Sequence, residues 1–321
     1  MSEVPERRPP PVVMRSRLML EVASHLVGQA DWPDQQVQIH FRPQGGADWN
    51  LCFFASDAPN AVEAVLSGAA DIAICNPGGV LAMAVRGAAP FKAPAPLRAI
   101  MVLPQFDQFG FGFTAASGIT SLAQVRDDRY PLRVSLRGQR DHSVHLVADR
   151  VLQAYGYSLA DIERWGGQVR YDEEFPNGPH RMGAMERGEI DAIFDEALNM
   201  WARRGLEIGM RFLPIDEPQL GELERVGLRR VAITPGEYPA VGQDVWTVDF
   251  SGWPVFTRED ASDHMVEAFC AGLEARKERI PWYGSGPMRL DLMVSDTREA
   301  PMMIPLHPAA ERFWRARGYI K

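Results

Sequence analysis

The alternation of apolar and polar residues along the chain predicts an α/β protein, and residues 131–155 show this alternation clearly. Leu132, Val134 and Leu136 alternate with polar residues, which is typical of a strand. Further apolar residues recur at the spacing of one helix face: Val144, Val147, Ala148, Val151, Leu152 and Tyr155. The pattern therefore predicts a strand, a polar turn over residues 137–143, and a helix.

The polar turn is a candidate anion site. At the start of a helix, several backbone N–H groups have no partner inside the helix, and the positive end of the helix dipole points the same way. A carboxylate or another small anion suits such a position. The alternative is an ordinary strand-to-helix connection that binds nothing.

A second pattern, of helix, stop glycine, aspartate and buried strand, occurs twice. The copies are residues 61–76 and 181–196; the glycines stand at positions 68 and 188, and the aspartates at 71 and 191. The strands predicted before them, residues 37–41 and 169–171, also match. The repeat predicts two α/β lobes of one topology, each strand–helix–strand–helix–strand with parallel pairing.

Two such lobes predict a ligand cleft between them, because ligands of parallel sheets bind outside the carboxyl ends of the strands. The turn 137–143, Asn76 with Pro77, and Asp195 with Glu196 would line this cleft. We expect lobe 1 to comprise residues 1–112 plus 245–321, and lobe 2 to comprise residues 113–244.

The N-terminal part of lobe 1 is the least regular stretch of the sequence. Residues 1–11 are polar and proline-rich, and we expect them to be disordered. Residues 12–14 are expected to form the remnant of a degenerate first strand. Ser16 is expected to cap a helix that runs to about Gly28.

The composition narrows the function. The chain has 321 residues, of which 46% are hydrophobic, so it can form two domains with their own cores. The net charge is −8 without a basic stripe, which argues against nucleic-acid binding. Cys52, Cys75 and Cys270 are widely spaced in apolar surroundings, so we expect buried, inert thiols rather than disulfides or a zinc site. No cofactor motif is present.

No membrane-spanning segment and no signal peptide can be recognised. The most apolar stretch, residues 72–85, is interrupted by polar and turn residues and is shorter than the roughly 20 residues that a span needs. No apolar segment follows the polar residues 1–11 at the distance expected for a signal peptide. Taken alone, these observations predict a cytoplasmic protein.

Several motifs, in their order along the chain, resemble the TAXI-type solute-binding proteins of TRAP transporters. These motifs cover most of residues 37–313: AVLSGAADIAI from Ala64, ITSL from Ile119 before RVSLRG from Arg133, GEIDAIF from Gly188, ITPGEYP from Ile233, DVWTV from Asp244, and PLHPAAER from Pro305. The sequence departs from the family at residues 7–17, where members usually have a first strand that leads into a glycine-rich ligand loop.

The resemblance implies a type II periplasmic-binding fold, with two Rossmann-like lobes joined by a hinge around a ligand cleft. It implies a non-enzymatic solute receptor for a small organic acid or amino acid, with a TRAP membrane subunit as a possible partner and a periplasmic location. The expected ligand-binding residues are Asn76, Pro77, Arg137, Gly138, Gln139, Asp141, His142, Ser143, Asp195, Glu196 and Asn199.

The chemistry of these residues suggests individual roles. Arg137 or Arg140 can hold a carboxylate through paired N–H groups, while Asn76 can both donate and accept. Asp195 and Glu196 favour a ligand amine, hydroxyl groups or a divalent cation. Alternatively, these two acidic residues stabilise the start of the next helix.

Two other functions stay open at this stage. One is a cytoplasmic enzyme of the same fold, such as a decarboxylase acting on an aromatic or keto acid. Its metal or acid–base site would draw on Asp141, His142, His145, Asp195 and Glu196. The other is a ligand sensor. The sequence lacks the nucleophile, phosphate-binding and zinc motifs of common enzyme classes, which favours a binding protein.

Overall fold

The computed structural model describes residues 11–27, 34–41 and 49–321, which form two five-stranded sheets, a separate hairpin and the surrounding helices. The strands are β1 (Asp34–Phe41), β2 (Trp49–Ser56), β3 (Ile72–Ile74), β4 (Leu97–Leu103), β5 (Gly110–Thr114), β6 (Arg133–Arg137), β7 (Gln168–Asp172), β8 (Ala192–Asp195), β9 (Met210–Phe212), β10 (Arg230–Ile233), β11 (Val245–Val248) and β12 (Trp253–Arg258).

The α-helices lie between these strands and at both ends of the described chain. They are α1 (Pro11–Val27), α2 (Asn60–Leu66), α3 (Gly78–Arg86), α4 (Leu122–Asp127), α5 (Ser143–Ala154), α6 (Leu159–Arg164), α7 (Met182–Glu186), α8 (Leu198–Glu207), α9 (Glu217–Val226), α10 (Asp263–Arg276), α11 (Leu290–Met293) and α12 (Pro308–Ala316).

The two sheets have corresponding strand orders. The first is β1-β2-β3-β12-β4 and the second is β7-β6-β8-β5-β9. In each sheet, the fourth strand in this order runs antiparallel to both of its neighbours. The predicted α/β class and the two-lobed type II periplasmic-binding fold are confirmed. We call the part built on the first sheet lobe 1 and the part built on the second sheet lobe 2; the exact lobe boundaries stay a prediction.

The strand–turn–helix unit of residues 131–155 forms as the apolar pattern predicts. Leu132, Val134 and Leu136 of the β6 region are fully buried and share a core cluster with the apolar face of α5. That face consists of Val144, Val147, Ala148, Val151 and Leu152. Burial of this stripe against the strand stabilises a helix that would be marginal in isolation.

The two aspartates of the repeat make the same contacts in the two lobes. Asp71 accepts a hydrogen bond from the backbone N–H of Cys52 at 2.8 Å, and its own N–H donates to the Cys52 carbonyl at 3.0 Å. Asp191 makes the same pair of bonds with Arg133, at 3.0 and 2.7 Å. Cys52 therefore corresponds to Arg133, and β2 occupies in lobe 1 the position that β6 occupies in lobe 2.

This correspondence corrects part of the predicted repeat. Residues 37–41 lie in β1, which pairs antiparallel with β2, whereas β7 pairs parallel with β6. The predicted match of residues 37–41 with residues 169–171, and the uniform parallel pairing of lobe 1, are therefore wrong. The likeness of the two strands comes from their short alternating pattern, which does not encode direction.

The N-terminal predictions also need correction. Residues 12–14 lie inside helix α1 and not in a strand, and Ser16 lies in the interior of that helix rather than at its cap. The helix begins at Pro11, several residues before the predicted start. The predicted disorder of residues 1–11 is wrong for Pro11, which begins helix α1. The rest of that expectation, residues 1–10, lies outside the described residues.

Two crossover segments connect the lobes, and they are hydrogen-bonded to each other. Residues 104–109 lead from β4 to β5, and residues 249–252 lead from β11 to β12. Phe250 N–H donates to the carbonyl of Asp107 at 3.1 Å, and Gly252 N–H donates to that of Gln105 at 2.9 Å. Side-by-side crossovers of this kind form a two-stranded hinge.

The lobes also share a core beside the hinge. Val80 and Met83 of α3 belong to the same buried cluster as Leu228, which follows α9. At Gly227, φ is +116°, and an added Cβ would lie 2.8 Å from the backbone nitrogen of Met83. A side chain at this position would separate the two lobes, so glycine is required for the close approach.

Candidate functional site

Arg137 lies at the end of β6, where the predicted anion-binding turn begins. Its Nη2 donates to Asp195 Oδ1 at 2.8 Å and also to the Glu196 carboxylate. Its guanidinium stands 5.1 Å from the centre of the Phe175 ring. Burial disfavours the charge, but the Asp195 and Glu196 carboxylates outweigh it and raise the pKa of Arg137 above its usual range. Arg137 is therefore permanently charged and held by protein anions.

Asp195 is fully buried at the end of β8, between two arginines. Its Oδ2 accepts from Arg181 Nη1 at 2.5 Å, while its Oδ1 accepts from Arg137. Arg181 is fully buried too, and its Nε donates to Ser135 Oγ at 2.9 Å. Burial acts to raise the pKa of Asp195, but the two guanidinium groups hold it below its usual range. The Asp195 carboxylate is thus fully engaged in a buried ion network.

Glu196 links this network to the hinge. Its carboxyl group pairs with Asp107 of the first crossover segment, whose Oδ2 accepts the backbone N–H of Ala197 at 2.9 Å. Burial raises the pKa of Glu196 well above its usual range and also raises that of Asp107, although Arg137 pulls the pKa of Glu196 down. Two buried carboxyl groups in contact favour sharing a proton.

Ala197 has a left-handed backbone, with φ at +56°, at the start of α8. Such a conformation strains a residue with a side chain and persists only when its surroundings hold it. The hydrogen bond from Ala197 to Asp107 supplies one such restraint. The end of β8 is therefore fixed directly to the hinge.

His142 and Ser143 form the start of α5 and are both buried. His142 Nδ1 accepts the backbone N–H of Val144 at 3.1 Å, so its ring caps the helix. Burial, together with the nearby Arg137 charge, lowers the pKa of His142 to about 3. The ring is therefore neutral at physiological pH.

A loop of lobe 1 contacts the start of α5. The carbonyl of Asp57, which follows β2, accepts the backbone N–H of Ser143 at 2.9 Å. The Asp57 carboxylate lies 3.9 Å from His142 Nε2. An oxygen acceptor from lobe 1 thus occupies an N–H group at the helix N-terminus of lobe 2.

The turn contains three of the buried side-chain atoms that lack a partner in the described part of the chain. Arg137 Nε, Gln139 Nε2 and Ser143 Oγ have no hydrogen-bond partner among the described residues. Because an unmade hydrogen bond in the interior costs about 1–3 kcal/mol, such groups call for an explanation, which can be a bound acceptor.

The remaining residues of the turn differ in exposure. Gly138 approaches the next loop closely, because an added Cβ would lie 2.7 Å from Glu173 Cα. Asp141 and Arg140 are exposed, and the Arg140 guanidinium stacks 3.4 Å from the centre of the Tyr171 ring. Asn199 is also exposed, on the first turn of α8. Asp141 and Asn199 are therefore not part of the buried cluster.

Asn76 and Pro77 end the corresponding strand of lobe 1. Both donors of the Asn76 amide are used, because its Nδ2 donates to the carbonyls of Phe250 at 3.1 Å and Gly252 at 3.0 Å. Pro77 occupies the N-cap position of helix α3 and makes no side-chain hydrogen bond there. Asn76 therefore fixes the end of β3 to the second crossover segment, in the way that Glu196 and Ala197 fix β8 to the first.

Comparison with protein-family models identifies the family. One model matches residues 55–318, which is most of the chain. The chain belongs to the NMT1-like family. In the comparison with curated proteins, no sequence matched.

The chain is also similar to solved structures, including the following two. XAC2383 of Xanthomonas citri, bound to chloride, aligns over 81% of this NMT1-like chain and 83% of its own at 13% identity, with a TM-score of 0.40. The glycine betaine/L-proline-binding protein ProX of Borrelia burgdorferi aligns over 65% and 64% at 11% identity, with a TM-score of 0.38. This chain thus spans slightly less than two thirds of the ProX chain.

Three residues of this candidate site were missed by sequence reasoning. Arg181 and Asp107 complete the ion network, and Asp57 supplies the contact from lobe 1. Arg181 starts the second copy of the repeat, but its position there is occupied by Ala61 in the first copy. The repeat pattern therefore gave no indication that an arginine would be buried at this position. For Asp107, the signal was its place between two predicted strands that belong to different lobes.

Two further observations concern metals and membranes. Within residues 11–27, 34–41 and 49–321, no three histidine, cysteine or acidic side chains are grouped in a way that would hold a metal ion. No helix in the described part of the chain has the length and apolar character needed to cross a membrane.

Proposed function

We propose that this NMT1-like protein is a solute-binding protein whose two lobes close on a small carboxylate-bearing ligand at the start of α5. The observation that carries the proposal is the group of buried, unpartnered donors at Arg137, Gln139 and Ser143. A carboxylate supplies several acceptor lone pairs within a small volume, and a helix N-terminus favours its negative charge.

The contact between Asp57 and Ser143 suggests how the cleft works. The Asp57 carbonyl oxygen occupies a helix N–H that a ligand oxygen can also use. A ligand carboxylate would take over this N–H and add hydrogen bonds to the side chains that now lack partners. Lobe 1 would then close over the ligand through the hinge formed by the two crossover segments.

The acidic pair has a structural role in this proposal. Asp195 is fully used by Arg137 and Arg181, and Glu196 is used by Arg137 and Asp107. They therefore hold the arginine in place and do not need to bind a ligand amine. This arrangement favours a simple organic acid over a ligand that requires recognition of an amine, although an amino acid carries the same carboxylate.

The sequence motifs support a more specific place for the protein in transport. Their order supports a receptor of the TAXI type, which would deliver its ligand to a TRAP membrane subunit on the periplasmic side. Membership of the NMT1-like family and the two-lobed fold support the coarser function of a solute receptor.

Titration calorimetry with a panel of organic acids, amino acids and the corresponding neutral amides tests the proposal. We expect at least one acid to bind and its amide not to bind. Replacing Ser143 by Ala removes one donor to a charged group, worth about 1.5–3 kcal/mol, and should weaken binding about tenfold or more. The ligand should be recovered unchanged, because a receptor does not convert it.

The matched control is Ser121→Ala. Ser121 also starts a helix of lobe 2, where its hydroxyl accepts the Gln124 N–H at 3.1 Å, but it lies outside the turn. The control should bind the acid as the unmodified protein does. Equal affinities of the two variants, or binding of no acid in the panel, would show that the anion site is wrong.

A further inference from the structure

Helix α1 carries an apolar stripe that is not packed. Leu18, Met19, Val22 and Leu26 are between 51% and 68% exposed. At about 100° per residue these four side chains fall within roughly one quarter to one third of the helix circumference, which is the width of a core-facing stripe. Leu20 is also exposed but lies on the other side of the helix.

An apolar groove lies open on the sheet of lobe 1. Its volume is about 230 Å³, and its lining is almost entirely apolar. The main lining residues come from four strands and one helix: Val37, Phe53, Ala55, Ile72, Ile74, Val255 and Phe269. Val37 is 40% exposed, and Phe53, Ala55 and Ile74 are half-buried.

Lobe 2 shows what covers the corresponding face. Because Cys52 corresponds to Arg133, Phe53 corresponds to Val134, which is fully buried beneath α5. In the same way Ile74 corresponds to Phe194, which is also fully buried. Helix α10 covers only part of the lobe 1 face, where Phe269 packs against Phe53 with ring centres 5.4 Å apart.

Helix α1 lies close to this groove along the chain. Six residues, 28–33, separate the end of α1 from the start of β1, and β1 borders the groove through Val37. Six extended residues span about 20 Å. With 17 residues, α1 is also longer than α5, which has 12.

We propose that α1 docks its stripe of Leu18, Met19, Val22 and Leu26 into the lobe 1 groove of the same chain, as α5 covers the sheet of lobe 2. The docked helix replaces the cover that the repeat supplies in lobe 2 and removes both apolar surfaces from water. Lobe 1 thereby gains its helix from a segment that precedes β1, since no helix lies between β1 and the strand β2 in the described residues.

Cross-linking of the full chain tests this proposal. Val22→Cys is combined with Val37→Cys and treated with a short bifunctional maleimide; Leu20→Cys with Val37→Cys is the matched control. The native cysteines are buried, so they should react little. We expect an intramolecular cross-link at least fivefold more abundant for Val22→Cys than for Leu20→Cys. Equal yields, or cross-links only between two chains, would overturn docking within one chain.

Hydrogen exchange supplies a second measurement that does not depend on cysteine chemistry. Val22→Asp should speed the amide exchange of β2 and β3 about tenfold, whereas Leu20→Asp should leave it unchanged. Unchanged exchange in both variants would overturn the proposal. The proposal would also be overturned if the full chain bound to vesicles of anionic lipid and Val22→Asp abolished this binding. The apolar stripe would then face a membrane.

Discussion

In lobe 2 the second strand of the sheet, β6, begins a unit that continues into α5. In lobe 1 the same sheet position is taken by β2, which forms a hairpin with β1. The aspartates of the repeat identify these positions as equivalent, because Asp71 and Asp191 clamp the backbone of β2 and β6 in the same way. The two lobes thus share the aspartate hydrogen bond to the strand backbone, whereas the chain segments that lead into β2 and β6 differ.

The lobes also differ at the ends of their third strands. Lobe 1 has Cys75 and Asn76 where lobe 2 has Asp195 and Glu196. Burial raises the pKa of the Cys75 thiol to about 12, so this position is neutral. Each strand end is fixed to one crossover segment, by the neutral amide donors of Asn76 in lobe 1 and by the Glu196–Asp107 carboxyl pair together with the Ala197 N–H in lobe 2. Lobe 2 therefore holds the ion network, and lobe 1 faces it as a cover.

The largest expected effect comes from breaking the ion network of lobe 2. Arg181→Met leaves the fully buried Asp195 with only one arginine, and removing one partner of a buried pair costs about 3–5 kcal/mol. Chemical denaturation at pH 7 measures the loss. Asn76→Ala, at the neutral strand end of lobe 1, should cost less, about 1–3 kcal/mol.

Arg187→Met is the control for Arg181→Met. Arg187 is exposed and pairs with the exposed Glu189, so its loss should change the free energy of unfolding by no more than about 0.5 kcal/mol. If Arg181→Met were as mild as Arg187→Met, the network would contribute little to the stability of lobe 2.

The second-largest expected effect is the loss of stability when either aspartate of the repeat is replaced. Asp71→Asn and Asp191→Asn each weaken a hydrogen bond to a strand N–H, so each should cost about 1–2 kcal/mol. Asp191 also accepts from the Arg133 side chain, at 3.0 Å from Nε and 2.6 Å from Nη2. Arg133 is 43% exposed, so this pair adds at most about 1 kcal/mol.

Urea unfolding of both variants measures this difference. We expect Asp191→Asn to lower the free energy of unfolding at least as much as Asp71→Asn, because it also loses the contact with Arg133. A larger decrease for Asp71→Asn would contradict the equivalence of the two positions. Asp128→Asn, on the surface of lobe 2, serves as a control for the loss of one carboxylate charge.

The smallest expected effect is the pH dependence that His142 gives to the free energy of unfolding. The folded pKa of His142 is about 3 and lies below its ordinary value, so the unfolded chain binds a proton that the folded chain excludes. The resulting stability is present above about pH 6.5 and is lost as the pH falls towards 3. Between pH 7 and pH 5 the loss amounts to about 1–2 kcal/mol.

His142→Asn keeps a capping acceptor for Val144 and removes the titrating ring. The raised pKa values of Asp107 and Glu196 act in the opposite direction in both proteins, so the difference between the two pH profiles isolates His142. Parallel profiles of the two proteins from pH 7 to pH 5 would refute the assignment.

Sequence reasoning predicts the local elements well where a period is sustained. The β6–α5 unit and the stop glycines at 68 and 188 form as expected, and both glycines adopt positive φ values. Helix α6 is absent from the prediction, although Ser158 and Asp161 form a capping box at its start. Residues 37–41 are predicted as a strand, but their alternation does not reveal that β1 pairs antiparallel with β2.

The candidate site shows the same limit. The predicted Arg137, Asp195 and Glu196 come together, whereas Asp141 and Asn199 lie exposed. All five are polar residues in predicted turns or helix starts, so composition alone does not separate them. Their ligand contacts stay a prediction until the calorimetry is done.

The sequence by itself determined the α/β class, the two copies of the repeat and the strand–turn–helix unit, because these depend on residues that are close along the chain. Only the tertiary structure decided which titratable groups pair with one another. Arg137, Arg181, Asp195 and Asp107 come from four separate segments, and their pairing depends on burial and distance in three dimensions. Electrostatic partners are selected by proximity in space, which local periodicity does not encode.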